Sequence, residues 1–259
     1  MNLRRPASRT YVVTGTASGI GLATRTLLES DGHRVVGVDL RGAEIELDLG
    51  DRAERAGLVQ KASSRIGGEL DGVVACAGVT SAAAVAVNFF GAVSTLASLA
   101  PLLARSAAGR AVAVASFASI RADADAEVIE ACLADDEERA TSLLSGKPPG
   151  VAYPSSKAAL CRWIRREAVS PDWASRGLPL NGVAPGIVKT PMTQQLLGDA
   201  QSSAALRARV PMPLSGPAAP EQIAPLLAWL VGESNTHVTG QVIFIDGGAD
   251  AVVRGDAVW

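Results

Sequence analysis

The sequence predicts an α/β fold, a single domain built on a doubly wound parallel sheet. Short apolar runs alternate with helix-period segments along the 259 residues, a glycine-rich turn follows the first such run, and no stretch reads as a linker between two cores. Strands covered by helices on both faces are apolar almost throughout, and these runs have that character.

The first strand is Tyr11 to Thr14, which ends in glycines. Ile20 to Glu29 then carries helical periodicity up to the Asp31-Gly32 stop. Arg34 to Val38 is a second buried strand closed by Asp39, and Glu44 to Leu47 is a short strand-like run. A polar-faced helix over Arg52 to Ile66 leads to a third main strand, Gly72 to Ala75. The alternation continues with a helix from about Val87 to Arg105, a strand from Ala111 to Ala115, a helix from about Ser155 to Val169, and strands at Pro179 to Val183 and Val242 to Ile245. Residues 121–150 break the rhythm. Their acidic, Ala-rich ADADAEVIEACLADDEERATSLLSG reads as one or two amphipathic helices, a helical insertion that is equally a solvated excursion or an interface element or wall beside an active site.

Composition narrows the function classes. A formal charge of -2 with only 4% aromatics leaves no electrostatic footprint for nucleic acid. Cys76, Cys132 and Cys161 are scattered, without a metal-ligand spacing, so neither a disulfide framework nor a metal site is expected. The N-terminal MNLRRPASRT is basic but lacks an apolar core, and no later run is read as long enough to span a bilayer. The expectation is a cytoplasmic protein with neither a nucleic-acid nor a membrane partner.

Thr14-Gly15-Thr16-Ala17-Ser18-Gly19-Ile20-Gly21 places three glycines between the first strand and first helix. There a backbone must approach a pyrophosphate resting on helix N-terminal amides, the arrangement of a Rossmann-type dinucleotide site. Asp39 ends the second strand at the distance where a carboxylate accepts from both adenosine ribose hydroxyls; a 2′-phosphate would meet like charge, which favours NAD over NADP. Arg41 nearby would offset part of that repulsion. Asp48-Leu49 could meet the adenine, with a turn-forming aspartate as the competing reading. Cys76-Ala77-Gly78 closes the third main strand with small residues that let a cofactor lie across the sheet edge.

Tyr153-Pro154-Ser155-Ser156-Lys157 sets a phenol and an ammonium at i and i+4, one helical turn apart. Ser116 ends a buried strand upstream, where functional residues of such sheets collect. Hydride transfer at an alcohol carbon needs a proton acceptor for the hydroxyl. A tyrosine serves once a neighbouring ammonium and a nicotinamide cation lower its pKa from about 10, and a serine can donate to the oxygen as charge develops.

TGTASGIG, the CAG strand exit, VNFFG around Asn88, Ser116, YPSSK, the APG of Ala184 to Gly186 and the IDGG of Ile245 to Gly248 together resemble the short-chain dehydrogenase/reductase family. The resemblance implies a tetrad of Asn88, Ser116, Tyr153 and Lys157, with Asn88 holding a water in a proton relay that ends at Lys157. It also implies that Pro185-Gly186 lines the nicotinamide of NAD, that Val188 and Thr190 contact its carboxamide, and that the protein forms a homodimer or homotetramer. Ala75-Cys76-Ala77-Gly78 departs from the family's usual Asn-Asn-Ala-Gly. The insertion, the short link from Gly78 to Asn88 and the tail from Ile245 to Val252 resemble the bacterial 3α-hydroxysteroid dehydrogenase/carbonyl reductase subgroup, to which coniferyl-alcohol dehydrogenases are similar as well.

The expected activity is therefore NAD-dependent oxidation or reduction of a hydrophobic secondary alcohol or ketone, best a 3α-hydroxysteroid. The alternatives are an aryl-allylic (coniferyl-type) alcohol and a catalytically silent NAD(H)-sensing regulatory protein. In this family a segment such as residues 191–215 closes over substrate. Its Met192, Leu196, Leu197 and Met212 read equally as an apolar lid or as core contacts.

Overall fold

The computed structural model describes residues 8–258, and the basic N-terminal stretch 1–7 lies outside them. The chain runs β1 (Thr10–Thr14), α1 (Gly19–Ser30), β2 (Arg34–Asp39), β3 (Ile45–Glu46), α2 (Arg52–Ala56), α3 (Leu58–Ile66) and β4 (Gly72–Ala75). A π-helical segment, Val85–Gly91, passes into α4 (Ala92–Leu103), followed by β5 (Arg110–Val114) and a 3-10 turn, Phe117–Ile120. Then come α5 (Ala126–Leu133), α6 (Glu137–Leu143), α7 (Ala152–Glu167), β6 (Leu180–Pro185), α8 (Pro191–Gly198), α9 (Ala200–Arg209), α10 (Pro220–Val231), β7 (Val242–Ile245) and α11 (Ala249–Arg254).

All seven strands form one parallel sheet in the order β3-β2-β1-β4-β5-β6-β7, with Val12 opposite Val36 on one side and Val73 on the other. Alternate side chains of β1 enter opposite cores. Val12 joins Val36, Val73 and Ala111 under Leu58 of α3, Leu96 and Leu99 of α4, and Leu160 and Ile164 of α7. Val13 joins Val74, Val112 and Val183 under Leu28 of α1 and Ile223 and Leu227 of α10. The parallel arrangement points every strand's carboxyl end to one edge, and the site is built there.

Several expected boundaries shift. The helix over 52–66 breaks into α2 and α3 at Gly57, a poor helix former. The helix carrying Tyr153 starts at Ala152 rather than near Ser155, because Pro154 falls within its first turn, where its missing amide costs nothing. Val85–Leu103 is, contrary to the expectation, long and apolar enough to cross a membrane by length and composition. Some 56% of its apolar window is buried inside the protein, where it packs on β4 and α7.

The insertion forms α5 and α6, and it is not a solvated excursion. Val128, Ile129, Cys132 and Ala140 are buried, and Arg55 ion-pairs with Glu137 across to α2. Ser155 of α7 accepts from the Asp125 amide at 2.8 Å, which ties the insertion to α7 two residues from Tyr153.

Gly21 marks the tightest approach in the fold: a Cβ there would sit 2.1 Å from the Gly15 carbonyl oxygen. Gly21→Ala should cost about 1–3 kcal/mol in urea unfolding, because the backbone has to move to admit the methyl group. Wild-type stability in that variant would remove the close approach as a constraint.

Candidate active site

At the carboxyl ends of β1, β4, β5 and β6 lies a solvent-open cleft. Gly15, Ser18, Gly19, Ile20 and Gly21 form one part of its lining. Gly15 has φ +75°, and a Cβ on it would come within 2.9 Å of Ala77. Thr14 fixes that contact: its Oγ1 accepts from the amides of Cys76 and Ala77 at 2.9 and 3.0 Å. Ser18 precedes α1 in extended conformation and makes no side-chain cap bond, so the first-turn amides of the helix stay available to an anion in the cleft.

Asp39 closes β2 at the cleft wall. One carboxylate oxygen accepts from the Ala17 amide at 2.9 Å and the other from Leu40 at 2.7 Å, so the side chain braces the glycine turn as well as facing the cleft. Arg41 is exposed and does not line the cleft. Asp48 and Leu49 do line it, yet the turn-forming role of Asp48 is also realised: its Oδ1 accepts from the Gly50 amide at 2.7 Å.

Ser116, Tyr153 and Lys157 meet on the opposite side, beyond Cys76, Ala77 and Gly78. Ser116 lies two residues past the end of β5, and its hydroxyl accepts from the Ala118 amide at 3.1 Å, which orients it at the mouth of the 3-10 turn. Lys157 is buried and donates from Nζ to the Val114 carbonyl at 2.7 Å, lying 6.0 Å from the Tyr153 ring centre. Burial pulls the Lys157 ammonium down to about 8, against the opposing influence of the Cys76 and Cys161 thiols. Cys76 itself is pushed up to about 12, chiefly by burial, which leaves it a neutral thiol.

The phenol is partly buried as well. Burial raises the Tyr153 pKa, and the Ser116 hydrogen bond and the Arg121 charge, which lower it, do not win. Lys157 gives up its proton more readily than an ordinary lysine, and its charge alone does not produce a phenolate.

Asn88 does not line the cleft. It sits fully buried in the π-helical segment, donating to the Val79 carbonyl at 2.9 Å and to Ser156 Oγ at 3.2 Å while accepting from the Val79 amide at 2.8 Å. Both amide protons are thus given to protein partners, which fixes the orientation of the side chain. Ser156 in turn donates to the Tyr153 carbonyl at 2.8 Å, joining Asn88 to the helix that carries the phenol. A Cβ on Gly78 would lie 3.1 Å from Asn88 Oδ1 and 3.7 Å from Lys157 Nζ, so this glycine leaves room for both side chains to pack against the strand exit.

Pro185, Gly186, Val188 and Thr190 complete the wall. Gly186 has Met212 against it, with Sδ 2.9 Å from where a Cβ would be, and the Ile187 amide donates to that sulfur at 3.2 Å. Met212 is therefore a packing contact, whereas Met192 faces the cleft; Leu196 points to solvent and Leu197 lines a separate groove behind. No residue of the insertion is among those that line the cleft; its approach to the site is through Arg121, whose charge acts on Tyr153, and through Asp125, bonded to Ser155.

Sequence reasoning passed over Thr14, Ser156 and Arg121, along with the lining residues Leu40, Leu47, Val79, Val87, Pro191 and Thr193. Ser156 was findable as the buried small polar residue three positions after Tyr153; Arg121 carried no signal, since its relation to Tyr153 is purely spatial.

A glycine turn, a strand-end carboxylate and a Ser-Tyr-Lys cluster on one sheet edge define a nucleotide-dependent oxidoreductase framework, and comparison with known proteins agrees. Residues 9–127 match the family model for short chain dehydrogenase, and residues 140–250 match that for enoyl-(acyl carrier protein) reductase. The chain belongs to the short-chain dehydrogenase/reductase family and is an oxidoreductase of that family. The 3-alpha-hydroxysteroid dehydrogenase/carbonyl reductase of Comamonas testosteroni is 34% identical over 252 residues, covering 94% of this chain and 97% of its own. The crystal structure of the 3-alpha-hydroxysteroid dehydrogenase from Pseudomonas sp. B-0831 complexed with NADH matches with TM-score 0.88 at 40% identity, over 95% of this chain and 99% of that one. The 2-(R)-hydroxypropyl-CoM dehydrogenase of Xanthobacter autotrophicus is 29% identical over 95% of the chain and all of its own length.

The buried lysine has a measurable consequence. Unfolded, Lys157 holds its proton up to 10.5, whereas folded it holds it only to about 8. Between these values the unfolded chain binds more protons, so this group makes stability rise with pH across that window. Wild-type urea stability minus that of Lys157→Met should therefore climb by up to about 1 kcal/mol per pH unit above pH 8. A flat difference would rule out a depressed lysine.

Proposed function

We propose that the protein transfers a hydride between NAD and a hydrophobic secondary alcohol or its ketone, with a 3α-hydroxysteroid or related carbonyl compound as substrate. One observation carries this reading: the Ser116 hydroxyl, the Tyr153 phenol and the Lys157 ammonium converge on the same cleft that the glycine turn lines. The cleft suits the dinucleotide. The first amides of α1 are free of side-chain caps for a pyrophosphate, and Asp39 offers a carboxylate to ribose hydroxyls and like charge to a 2′-phosphate. Support for NAD and for the steroid also comes from the relatives, one of which is a 3-alpha-hydroxysteroid dehydrogenase complexed with NADH.

When bound, NAD supplies the hydride acceptor or donor and, oxidised, a positive charge beside the phenol. In the oxidation direction Tyr153 takes the hydroxyl proton of the alcohol, and in reduction it returns a proton to the carbonyl oxygen. Ser116, held in place by the Ala118 amide, donates to that oxygen as its negative charge develops. Lys157, anchored on the Val114 carbonyl, supports the phenolate electrostatically and contacts the cofactor ribose. Asn88 acts by fixing Val79 and Ser156, and so the helix on which the phenol rides. Val79, Val188, Pro191 and Met192 give the lining an apolar character suited to a hydrophobic substrate. Residues 191–215 close over that substrate. The protein works in the cytoplasm as a homodimer or homotetramer, a reading supported by exposed Trp229, Val252 and Val253 on α10 and α11.

Tyr153→Phe should lower kcat by about 10²- to 10⁴-fold while leaving NADH affinity, read from nicotinamide fluorescence, near wild type. Full activity in that variant would sink the mechanism. A panel containing a 3α-hydroxysteroid and a coniferyl-type alcohol at equal concentration separates the two substrate classes. Tight NADH binding with no turnover on any carbonyl would favour the silent sensor.

A further inference from the structure

The loop that follows Asp39 is clamped at two points. Glu44 receives a two-pronged ion pair from Arg25 of α1, with Nη1 to Oε2 at 2.9 Å and Nη2 to Oε1 at 2.6 Å, and its Oε2 also accepts from the Gly37 amide of β2 at 2.8 Å. Glu46 accepts from the amide of Gly42 at 2.9 Å, where the backbone turns with φ +71°. Gly37 makes room for the first clamp: a Cβ on it would stand 2.6 Å from Thr16 Oγ1, 2.8 Å from Glu44 Oε2 and 3.0 Å from Arg25 Nη1. Burial pushes the Glu44 carboxyl up, but the hydrogen bonds from Arg25 and the Gly37 amide prevail and hold it below the usual carboxylate range.

Between the clamps lies Arg41, two residues past the carboxylate that faces the cleft. It is exposed, it makes no hydrogen bond or ion pair with any described residue, and it does not reach the cleft that Asp39 and Leu40 line. An unpaired guanidinium two residues from the carboxylate at the ribose end has the chemistry to pair with a 2′-phosphate.

We propose that the Arg25–Glu44 clamp is a positioning device for cofactor discrimination: by fixing the 40–44 loop it holds Arg41 out of the cleft and so adds to the rejection of 2′-phosphorylated nucleotides that Asp39 imposes. This rests on the reading of the cleft as an NAD site. Glu44 and Arg25 touch neither cofactor nor substrate; they act through the backbone that carries Arg41.

The test is equilibrium binding of 5′-AMP and 2′,5′-ADP to the cofactor-free full chain by calorimetry. Glu44→Gln and Arg25→Gln open the same clamp with opposite changes of charge. Both should improve 2′,5′-ADP affinity relative to 5′-AMP by about fivefold, consistent with the loss of one partly exposed ion pair. Adding Arg41→Ala to either variant should abolish the gain. If only Glu44→Gln shows a gain, or the gain survives Arg41→Ala, bulk charge explains it and the clamp is overturned. An unchanged ratio in both variants, with 5′-AMP bound as in wild type, also overturns it. Should the wild type bind neither nucleotide, the reading of the cleft itself fails, an outcome distinct from failure of the clamp. Should one variant not fold, the other carries the test alone through its Arg41→Ala double.

Discussion

The carboxyl ends of β1 and β4 are joined by one small side chain. Thr14 Oγ1 accepts two consecutive amides, those of Cys76 and Ala77, and this draws the β4 exit so close to Gly15 that no Cβ fits between them. The glycine turn, the small-residue exit and the start of α1 therefore share one backbone junction. From it the remaining geometry follows: Gly78 lies next in line, Asn88 and Lys157 approach it from behind, and Lys157 is in turn pinned to the end of β5 through the Val114 carbonyl. Three neighbouring strand ends and two helices thus meet around a few atoms, and the cleft is the space they leave. Loss of one hydroxyl at Thr14 would leave two amides unsatisfied, which is costly out of water.

Much of this was legible in the residues. A parallel sheet announces itself by apolar runs, and each of the expected strands is present within a residue or two. The boundaries drift where tertiary pairing overrides local pattern: β6 extends through Pro185 because its outer neighbour β7 continues alongside, with Pro185 opposite Ile245. The break at Gly57 was local and readable. The π-helical winding at Asn88 was not, since it depends on the side chain finding Val79 and Ser156 across space.

For the site, the motif residues were found because each must sit at a fixed offset from a strand end or along one helix turn. Residues acting through backbone or through the field were not found. Thr14 bonds two main-chain amides, and Arg121 acts on the phenol by charge. Arg41 shows what sequence proximity leaves open: it follows Asp39 by two residues, yet its side chain is exposed and is not among the residues that line the cleft. In the folded chain desolvation acts on Tyr153 and Lys157 at once, raising the pKa of one and lowering that of the other, which no reading of their spacing alone provides.

The segment from Pro191 to Arg209 leaves and rejoins the body at almost one place. The Ile187 carbonyl accepts from the Ala218 amide at 2.9 Å, and the Ala218 carbonyl accepts from Lys189 at 2.8 Å, forming a narrow neck. Beyond that neck α8 and α9 bury no side chain. Their detachment therefore costs only local order, uncoupled from the cooperative unfolding of the sheet. Substitutions on the exposed faces of α8 and α9 therefore leave the packed scaffold beneath them almost untouched.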